Sequence, residues 1–253
     1  MTDTEREAAR YAELAELSYS HARATFTDFL GLAESDVFFR AVRDFSYVPY
    51  TLWGGAEGCE RVMVRFGDEE TLGYPPPPFP IVCLAVRPKA KKFADELAHR
   101  DILGALMNLG IRREMLGDIF PGEDVSYIFV AEKIASFLLE NLVRIKHTDV
   151  LTSVTDCPAE LAAPVYEAEE IQLSSLRLDA IVAHAYRLSR AEAQEAMSDG
   201  RVFLDGRSVT DFAFSPHTGA VITLRGMGRV RFCGAVGETR KGKIRTKIER
   251  PKR

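Results

Sequence analysis

The sequence of 253 residues lacks any long apolar run, and it contains only four cysteines and one tryptophan. No apolar stretch approaches the roughly 20 residues that are needed to cross a bilayer. The first residues of the chain are acidic and rich in alanine, and they lack the basic and then apolar order of a secretory signal. We therefore expect a soluble, cytoplasmic protein with no membrane partner.

The cysteines lie far apart and form no C-x-x-C pair; they are Cys59, Cys83, Cys157 and Cys233. A zinc ion needs clustered ligands because four donors must reach one small ion, so we expect reduced thiols and no metal. Phosphate-binding loops for a nucleotide cofactor are also missing, since Gly226-Met227-Gly228 is short and badly placed. We expect no cofactor and no small-molecule substrate.

Charge is distributed unevenly along the chain, although the formal net charge is only −4. Residues 171–253 contain 16 Lys and Arg against 8 Asp and Glu, a net charge of +8, whereas residues 1–170 contain 17 against 29, a net charge of −12. One basic end indicates a localised surface for a polyanion, and the acidic remainder limits nonspecific association. A solvated charged tail would give the same count, so charge alone leaves both interpretations open.

Residues 1–74 predict an N-terminal region of helices and strands. The spacing of Leu14, Leu17 and Ala24 is typical of one or two amphipathic helices within residues 4–32. Aromatic and branched residues predict extended segments at 38–39, 47–53 and 61–66. Four consecutive prolines within 74–80 exclude a helix and a central strand, and they predict a stiff connector.

Residues 81–154 predict a middle domain with the order βαββαβ. Strands are expected at 81–86, 118–120, 126–130 and 149–154, and helices at 93–109 and 132–142. This order is the ferredoxin-like arrangement, which many RNA-binding modules share and which also hosts other activities. Residues 155–169 are rich in Ala, Pro and Glu, have little periodicity and are interpreted as a linker.

The remaining residues, 170–253, predict two short helices against a small sheet, which makes the expected fold class α+β. Ser189 and Glu192 fit a capping box at the start of the second helix, and Gly200 ends that helix. Asp205-Gly206 separates two extended segments, as in a tight hairpin turn. The free N–H groups at the starts of the two helices would suit phosphate.

Three runs in this C-terminal module resemble the alpha-L RNA-binding motif of S4-type domains. They are Leu176-Arg177-Leu178-Asp179, Leu188-Ser189-Arg190 with Ala193-Gln194, and Gly200-x-Val202-x-Leu204-Asp205-Gly206. Two positions depart from the usual pattern. Asp205 stands where Asn is common, which still suits the turn. Ala220 stands where an acidic residue is usual, which we expect to remove a local turn interaction and not the fold.

Further motifs extend the resemblance over nearly the whole chain. Residues 54–61 (GGAEGCER), 99–111 (HRDILGALMNLGI), 117–119 (GDI) and 225–229 (RGMGR) resemble the YlmH family of bacterial proteins. The resemblance implies a middle RNA-binding domain, a C-terminal S4 domain and binding to the large ribosomal subunit. It also implies a role in ribosome-associated quality control, on obstructed subunits that still carry peptidyl-tRNA. For some members it implies a link to cell division.

The family pattern and side-chain chemistry together select candidate contacts to ribosomal or transfer RNA. Arginine offers a planar fork of donors for phosphate or a guanine edge, and a serine hydroxyl can bind at a helix N-terminus. The candidates in the module are Arg177, Ser189, Arg190 and Arg201, then Gln194 and Arg207. The basic tail adds Arg240, Lys241, Lys243, Arg245 and Lys247, in a strand with one basic face or in a segment that is ordered by binding. The alternative for each cation is a solvated charge or a structural ion pair, such as Arg177 with Asp179.

The middle domain contains a possible second RNA patch, formed by His99, Arg100, Arg112 and Arg113. His99 and Asp101 are nearly adjacent on the predicted helix and do not face each other, which disfavours a catalytic pair. We therefore expect a protein that is not an enzyme. The alternative is an RNA-modifying enzyme, of the pseudouridine synthase or methyltransferase type, that binds its substrate through the same module.

Overall fold

The computed structural model describes residues 2–90, 95–162 and 166–251, and it divides into two compact units, Met1–Ala163 and Pro164–Arg253. Within the described ranges no helix is both long and apolar enough to span a membrane. The first unit contains the N-terminal region and the middle domain, and the second unit contains the basic end of the chain. Helices and strands occur in both units, which confirms the α+β class.

The N-terminal region combines two main helices with a small sheet. Its elements are α1 (Asp3–His21), β1 (Thr25–Phe26), α2 (Leu32–Ala41), a 3-10 turn (Val42–Phe45), β2 (Tyr50–Trp53), β3 (Met63–Phe66) and α3 (Glu69–Leu72), and the sheet order is β1-β3-β2. The extended segment predicted at 38–39 is wrong, because both residues lie in α2. Two adjacent aromatic residues fit both the helical period of 3.6 residues and the strand period of two residues. The helix places Phe38 in full burial against the rings of Tyr11, Tyr50 and Phe66.

The middle domain has the ferredoxin-like order that the sequence predicts. Its elements are β4 (Ile81–Pro88), α4 (His99–Asn108), β5 (Leu116–Phe120), β6 (Ser126–Ala131), α5 (Glu132–Asn141), β7 (Arg144–Ile145) and β8 (Thr148–Thr155). They form one antiparallel sheet in the order β5-β6-β4-β8-β7, so β7 is an addition to the prediction. The helix predicted from 93 begins at His99. Asp95 instead bonds to Thr148 and His147, and residues 91–94 lie outside the described part of the chain.

The N-terminal region packs on one face of this sheet. Gly55 has a φ of +103°, and a Cβ placed on it would lie 2.4 Å from the ring of Phe129 on β6. Only glycine allows this approach, because of both the backbone conformation and the missing space. Phe129 is consequently only 1% exposed.

The second unit has two helices on a six-stranded antiparallel sheet. After α6 (Ala159–Ala162), its elements are β9 (Tyr166–Leu173), α7 (Leu178–Ala185), α8 (Arg190–Ser198), β10 (Val202–Leu204), β11 (Arg207–Ser208), β12 (Val221–Leu224), β13 (Gly228–Glu238) and β14 (Ile244–Pro251). The strand order is β11-β10-β12-β13-β14-β9. Fully buried residues from both helices and the sheet form one core, among them Ile181, Met197 and Ile222.

The turn between β10 and β11 lies at Asp205-Gly206. The φ angles are 49° at Asp205 and 81° at Gly206. Positive φ at both positions is typical of a type I′ hairpin turn, and glycine adopts it freely while a short polar residue tolerates it. The carboxylate of Asp205 also accepts a hydrogen bond from the N–H of Val221 at 2.8 Å, so this residue ties the turn to β12.

Strand β9 begins inside the segment interpreted as a linker. Tyr166 to Glu169 belong to β9, which pairs with β14 over eight residues, from Tyr166 opposite Pro251 to Leu173 opposite Ile244. Most side chains of β9 are exposed, and buried residues alternate with an exposed one only at its end, from Ile171 to Leu173. Three further glutamates therefore join the basic end. Residues 164–253 contain 16 Lys and Arg against 11 Asp and Glu, a net charge of +5 rather than the +8 of residues 171–253.

Candidate nucleic-acid interface

A buried carboxylate organises the predicted arginines of the second unit. Asp179, in the first turn of α7, is 0% exposed. Its oxygens accept five hydrogen bonds, from Nε and Nη2 of Arg177 (both 3.2 Å), Nε and Nη2 of Arg190 (both 2.9 Å) and Nε2 of Gln194 (2.8 Å). Arg177 precedes α7, and Arg190 and Gln194 lie one turn apart on α8. Two bidentate forks on one carboxylate fix both guanidinium planes.

The guanidinium groups of Arg177 and Arg190 are held by hydrogen bonds and remain partly exposed to solvent. The side chain of Arg177 is 41% exposed and that of Arg190 is 45% exposed. The bonds to Asp179 use Nε and Nη2, so Nη1 of each arginine remains for another acceptor. Two positive charges on one carboxylate leave a positive excess. These arginines are therefore structural partners of Asp179 as well as candidate RNA contacts.

The hydrogen bonds to Asp179 also make the second unit sensitive to acid. Burial alone would raise the pKa of Asp179, but the bonds from Arg177, Gln194 and Arg190 outweigh burial and lower the pKa. The resulting stabilisation is complete above the unfolded pKa of about 3.9, and it is lost as the pH falls through the folded-state value. We expect the opening free energy of α7, measured by native-state hydrogen exchange, to decline as the pH falls below about 4. The variant Asp179→Asn should show a shallower decline, and an equally steep one would contradict this assignment.

The N-terminus of α7 offers less to phosphate than the sequence predicts. The N–H of Leu178 donates to the carbonyl of Phe214 at 2.7 Å, and the N–H of Asp179 donates to that of Phe212 at 3.4 Å. The loop that carries these phenylalanines therefore occupies the first amides of the helix. The prediction of a phosphate site at these amides is wrong, because both amides already donate to carbonyl groups. The sequence could not indicate this, since the two partners lie more than 30 positions away.

The N-terminus of α8 has the predicted capping box. The hydroxyl of Ser189 accepts from the N–H of Glu192 at 3.2 Å, and the carboxylate of Glu192 accepts from the N–H of Ser189 at 2.7 Å. The box uses backbone donors that were expected to bind phosphate. Ser189 itself is exposed, so its hydroxyl proton remains a possible donor to RNA.

The remaining predicted residues of the module lie near the hairpin β10–β11. Arg201 is 47% exposed and approaches Asp199 at 3.7 Å, which is a weak surface pair. Arg207 is exposed and lies directly opposite Leu204 in the hairpin. Both arginines can therefore present guanidinium groups to solvent without exposing the core.

A shallow depression beside α7 and α8 contains basic residues that the sequence analysis did not select. It has a volume of about 370 Å³ and is lined by Ser174, His184, Arg187 and Arg190 together with apolar side chains. Arg187 is exposed and has a φ of 55°, in the short turn between the two helices. The sequence could have indicated Arg187, because it lies in the turn between two predicted helices and a turn residue projects away from the core. These side chains enlarge the basic surface around Arg190.

The predicted basic face of the tail is partly neutralised. Arg245 on β14 forms a forked ion pair with Glu170 on β9, at 2.5 and 2.9 Å. Lys247 binds Glu249 on its own strand at 2.8 Å. The predicted strand is present as β14, but these two cations already have acidic partners. The glutamates of β9 were not expected beside the tail because that segment was interpreted as a linker.

The turn between β13 and β14 carries the other cations of the tail. Arg240, Lys241 and Lys243 are all exposed there, and none of them forms an ion pair with a described residue. The turn is closed by the N–H of Thr239, which donates to the carbonyl of Lys243 at 2.8 Å. Three cations on a closed turn form a second basic surface of the unit, here called the hairpin tip.

The four residues predicted as a second RNA patch in the middle domain differ in exposure and in their partners. Arg100 is 88% exposed, and Arg112 is 66% exposed with an ion pair to Glu114 at 2.9 Å. Arg113 instead donates to the carbonyl of Leu116 at 3.2 Å, and burial lowers its pKa. Burial, and then the charge of Arg113, lower the pKa of His99, which disfavours the charged form of its ring. Arg113 therefore binds carbonyl groups of its own fold, and its role as an RNA contact stays a prediction.

Asp101 does not act as a partner for His99. Its carboxylate accepts from the N–H of Ala98 at 3.0 Å, which caps α4, and it forms an ion pair with Lys146 at 2.8 Å. Helix capping and the ion pair with Lys146 explain why an acidic residue stands at position 101 of the 99–111 motif, and they require no catalytic role.

Arg61 joins the N-terminal region to the middle domain, a role that sequence reasoning missed. Its Nε donates to the carbonyl of Leu116 at 2.7 Å, and its Nη2 donates to those of Phe29 (3.2 Å) and Arg113 (3.1 Å). Burial, and then the charge of Arg113, lower the pKa of Arg61 to about 10. Its N–H donates to Asp118 at 3.0 Å, so the motifs at 54–61 and 117–119 meet in the fold.

Two family models match the chain. The model described as "Putative RNA-binding domain in YlmH" matches residues 79–158, which include the whole middle sheet. The S4 domain model matches residues 176–222, which include Asp179, its hydrogen-bond partners and the Asp205-Gly206 turn.

Two known proteins are similar to the chain. "Ribosome-associated protein quality control protein P2" of Bacillus subtilis (strain 168) is 32% identical over 235 residues, which cover 91% of this chain and 88% of that protein. The solved structure of "Cell division protein ylmH from Streptococcus pneumoniae" is 20% identical with a TM-score of 0.47, and the match covers 61% of this chain and 93% of that chain.

Proposed function

Because this chain belongs to the YlmH family of RNA-binding proteins, we propose that its second unit binds structured ribosomal or transfer RNA. The proposed contacts are Arg177, Ser189, Arg190, Gln194, Arg201 and Arg207, with His184 and Arg187 beside them and the hairpin tip as a second surface. Contacts of guanidinium and ammonium groups to phosphate position the protein, and they do not require a particular base sequence.

The observation that carries this proposal is the pair of arginines fixed on Asp179. A free arginine side chain loses about 2 kcal/mol of rotamer entropy when it is immobilised. Arg177 and Arg190 have already lost much of that freedom, since each is held by two hydrogen bonds. Binding of phosphate therefore costs less ordering at this site than at an unsupported arginine.

The proposed setting is the large ribosomal subunit, in the cytoplasm. The Bacillus subtilis relative is named as a ribosome-associated quality control protein, and its similarity covers 91% of this chain, which supports the same role here. We propose that the chain acts on stalled nascent chains by holding RNA and not by catalysis. Neither His99 with Asp101 nor the arginines on Asp179 form an acid–base arrangement, which agrees with this proposal.

Removing two exposed arginines near the Asp179 cluster should weaken binding to ribosomes. For Arg187→Ala with Arg201→Ala we expect about tenfold weaker co-sedimentation with purified large subunits at about 0.1 M salt, because each lost phosphate contact removes one released counterion. The double variant Arg6→Ala with Arg10→Ala is the matched control, since these exposed arginines lie on α1 in the first unit. Equal binding by the parent and the Arg187/Arg201 variant would contradict the proposal.

A further inference from the structure

One face of the middle sheet is covered only in part. Phe129 on β6 is buried under Gly55 of the N-terminal region. Side chains alternate along a strand, so Tyr127 lies on the same face as Phe129. Phe120 on β5 is directly opposite Tyr127, and its ring packs edge-on against that of Phe129 at 6.0 Å. Both Phe120 and Tyr127 are half-buried. The N-terminal region therefore covers the sheet at Phe129 and leaves this pair of rings partly exposed.

The same face continues onto β4 and β8, where Ala85 is fully buried and Arg87 is exposed. Ala85 lies opposite both Tyr127 and Ser153, and Arg87 lies opposite Leu151. Leu151 is 60% exposed, so it adds apolar surface beside Arg87. The open face, as we use the term, consists of Phe120, Tyr127, Arg87, Ser153 and Leu151.

The polar groups of the open face favour an anionic partner. The guanidinium of Arg87 bonds only to the neutral hydroxyl of Ser153, at 3.5 Å, and it meets no carboxylate among the described residues. The hydroxyl of Tyr127 has no hydrogen-bond partner there either. Farther along β8, Asp149 approaches Arg144 at 4.0 Å, so this carboxylate already has a cation beside it.

We propose that the open face binds unpaired nucleotides of RNA, an inference that rests on the proposed RNA-binding function. Aromatic rings on a sheet stack on splayed-out bases, and an adjacent guanidinium binds the phosphate between them. Tyr127 provides the ring and Arg87 the guanidinium, while Leu151 packs against the ribose or a second base. A duplex does not fit this chemistry, because its bases are stacked on one another and present no free ring face.

The test uses the full chain and two labelled RNAs, an oligouridine of about ten nucleotides and a stable stem-loop whose short loop keeps its bases stacked and presents no splayed-out base. We expect Tyr127→Leu to weaken binding of the oligouridine by about 5- to 100-fold, the range expected for loss of one stacked base. The control Tyr127→Phe keeps the ring and should retain most of the affinity. Neither variant should change the affinity for the stem-loop, which the second unit binds. Fluorescence anisotropy measures both affinities.

Two further measurements separate this inference from the proposed function. Arg87→Ser changes an exposed side chain, so it keeps the test valid if Tyr127→Leu does not fold, and it should also weaken the oligouridine selectively. Parental oligouridine affinity in folded Tyr127→Leu, or in Arg87→Ser, would overturn the inference and leave the open face to a protein partner. Loss of stem-loop binding in Arg187→Ala with Arg201→Ala, by contrast, reports on the second unit alone.

Discussion

The double variant Arg177→Ala with Arg190→Ala should destabilise the second unit by about 3 kcal/mol, at the lower end of the range for a buried charge that loses its partners. Asp179 is fully buried and would keep one hydrogen bond, from Gln194. The lower end is appropriate because both arginines are about half exposed, so water can reach the vacated space. Native-state hydrogen exchange of α7 and α8 measures the change.

A third substitution provides the control for this experiment. Adding Asp179→Leu to the double variant removes the unpaired carboxylate, and replacing a buried ionic group by an apolar residue is often neutral or stabilising. We expect the triple variant to regain most of the lost stability. It should still bind RNA weakly, since both guanidinium groups are gone. If the double variant is as stable as the parent, Asp179 does not depend on these arginines.

Neutralising the hairpin tip should produce the second large effect, on affinity rather than on stability. With Arg240, Lys241 and Lys243 changed to serine, we expect the slope of log affinity against log salt to fall by about 2 to 3, and binding at about 0.1 M salt to weaken at least tenfold. All three residues are exposed, so the fold should be retained. Titration of ribosomes at several salt concentrations measures both quantities.

The ion pair between Arg245 and Glu170 provides a matched comparison. Changing both residues to serine removes a cation whose charge is already balanced, so the salt slope should change by less than about 1. A slope that falls equally in both variants would show that the position of a cation is unimportant. It would then indicate nonspecific attraction by the net charge of the unit.

Local patterns were sufficient for much of the second unit. The capping box at Ser189, the turn at Asp205-Gly206 and the helix end at Gly200 each depend on a few neighbouring residues, and each has the predicted conformation. The same holds for the order of strands and helices in the middle domain, where apolar periodicity is clear.

Contacts between distant parts of the sequence could not be predicted in the same way. The pairing of β9 with β14 joins Tyr166 to Pro251, and no apolar period marks residues 166–170 because most of their side chains are exposed. The partial burial of the Arg113 side chain also depends on residues that are distant in the sequence. An arginine in a basic-looking run gives no indication of whether carbonyl groups surround it.

The pairing of the first and last strands of the second unit also sets the timing of its folding on the ribosome. Strand β9 gains its neighbour only after residues 244–251 have been synthesised, so loop closure over that distance must precede the final sheet. Until then α7, α8 and the inner strands can form, whereas β9 has no strand to pair with. A nascent copy of this protein therefore acquires its complete RNA-binding unit late in its own translation, and a truncated copy would expose an edge prone to aggregation.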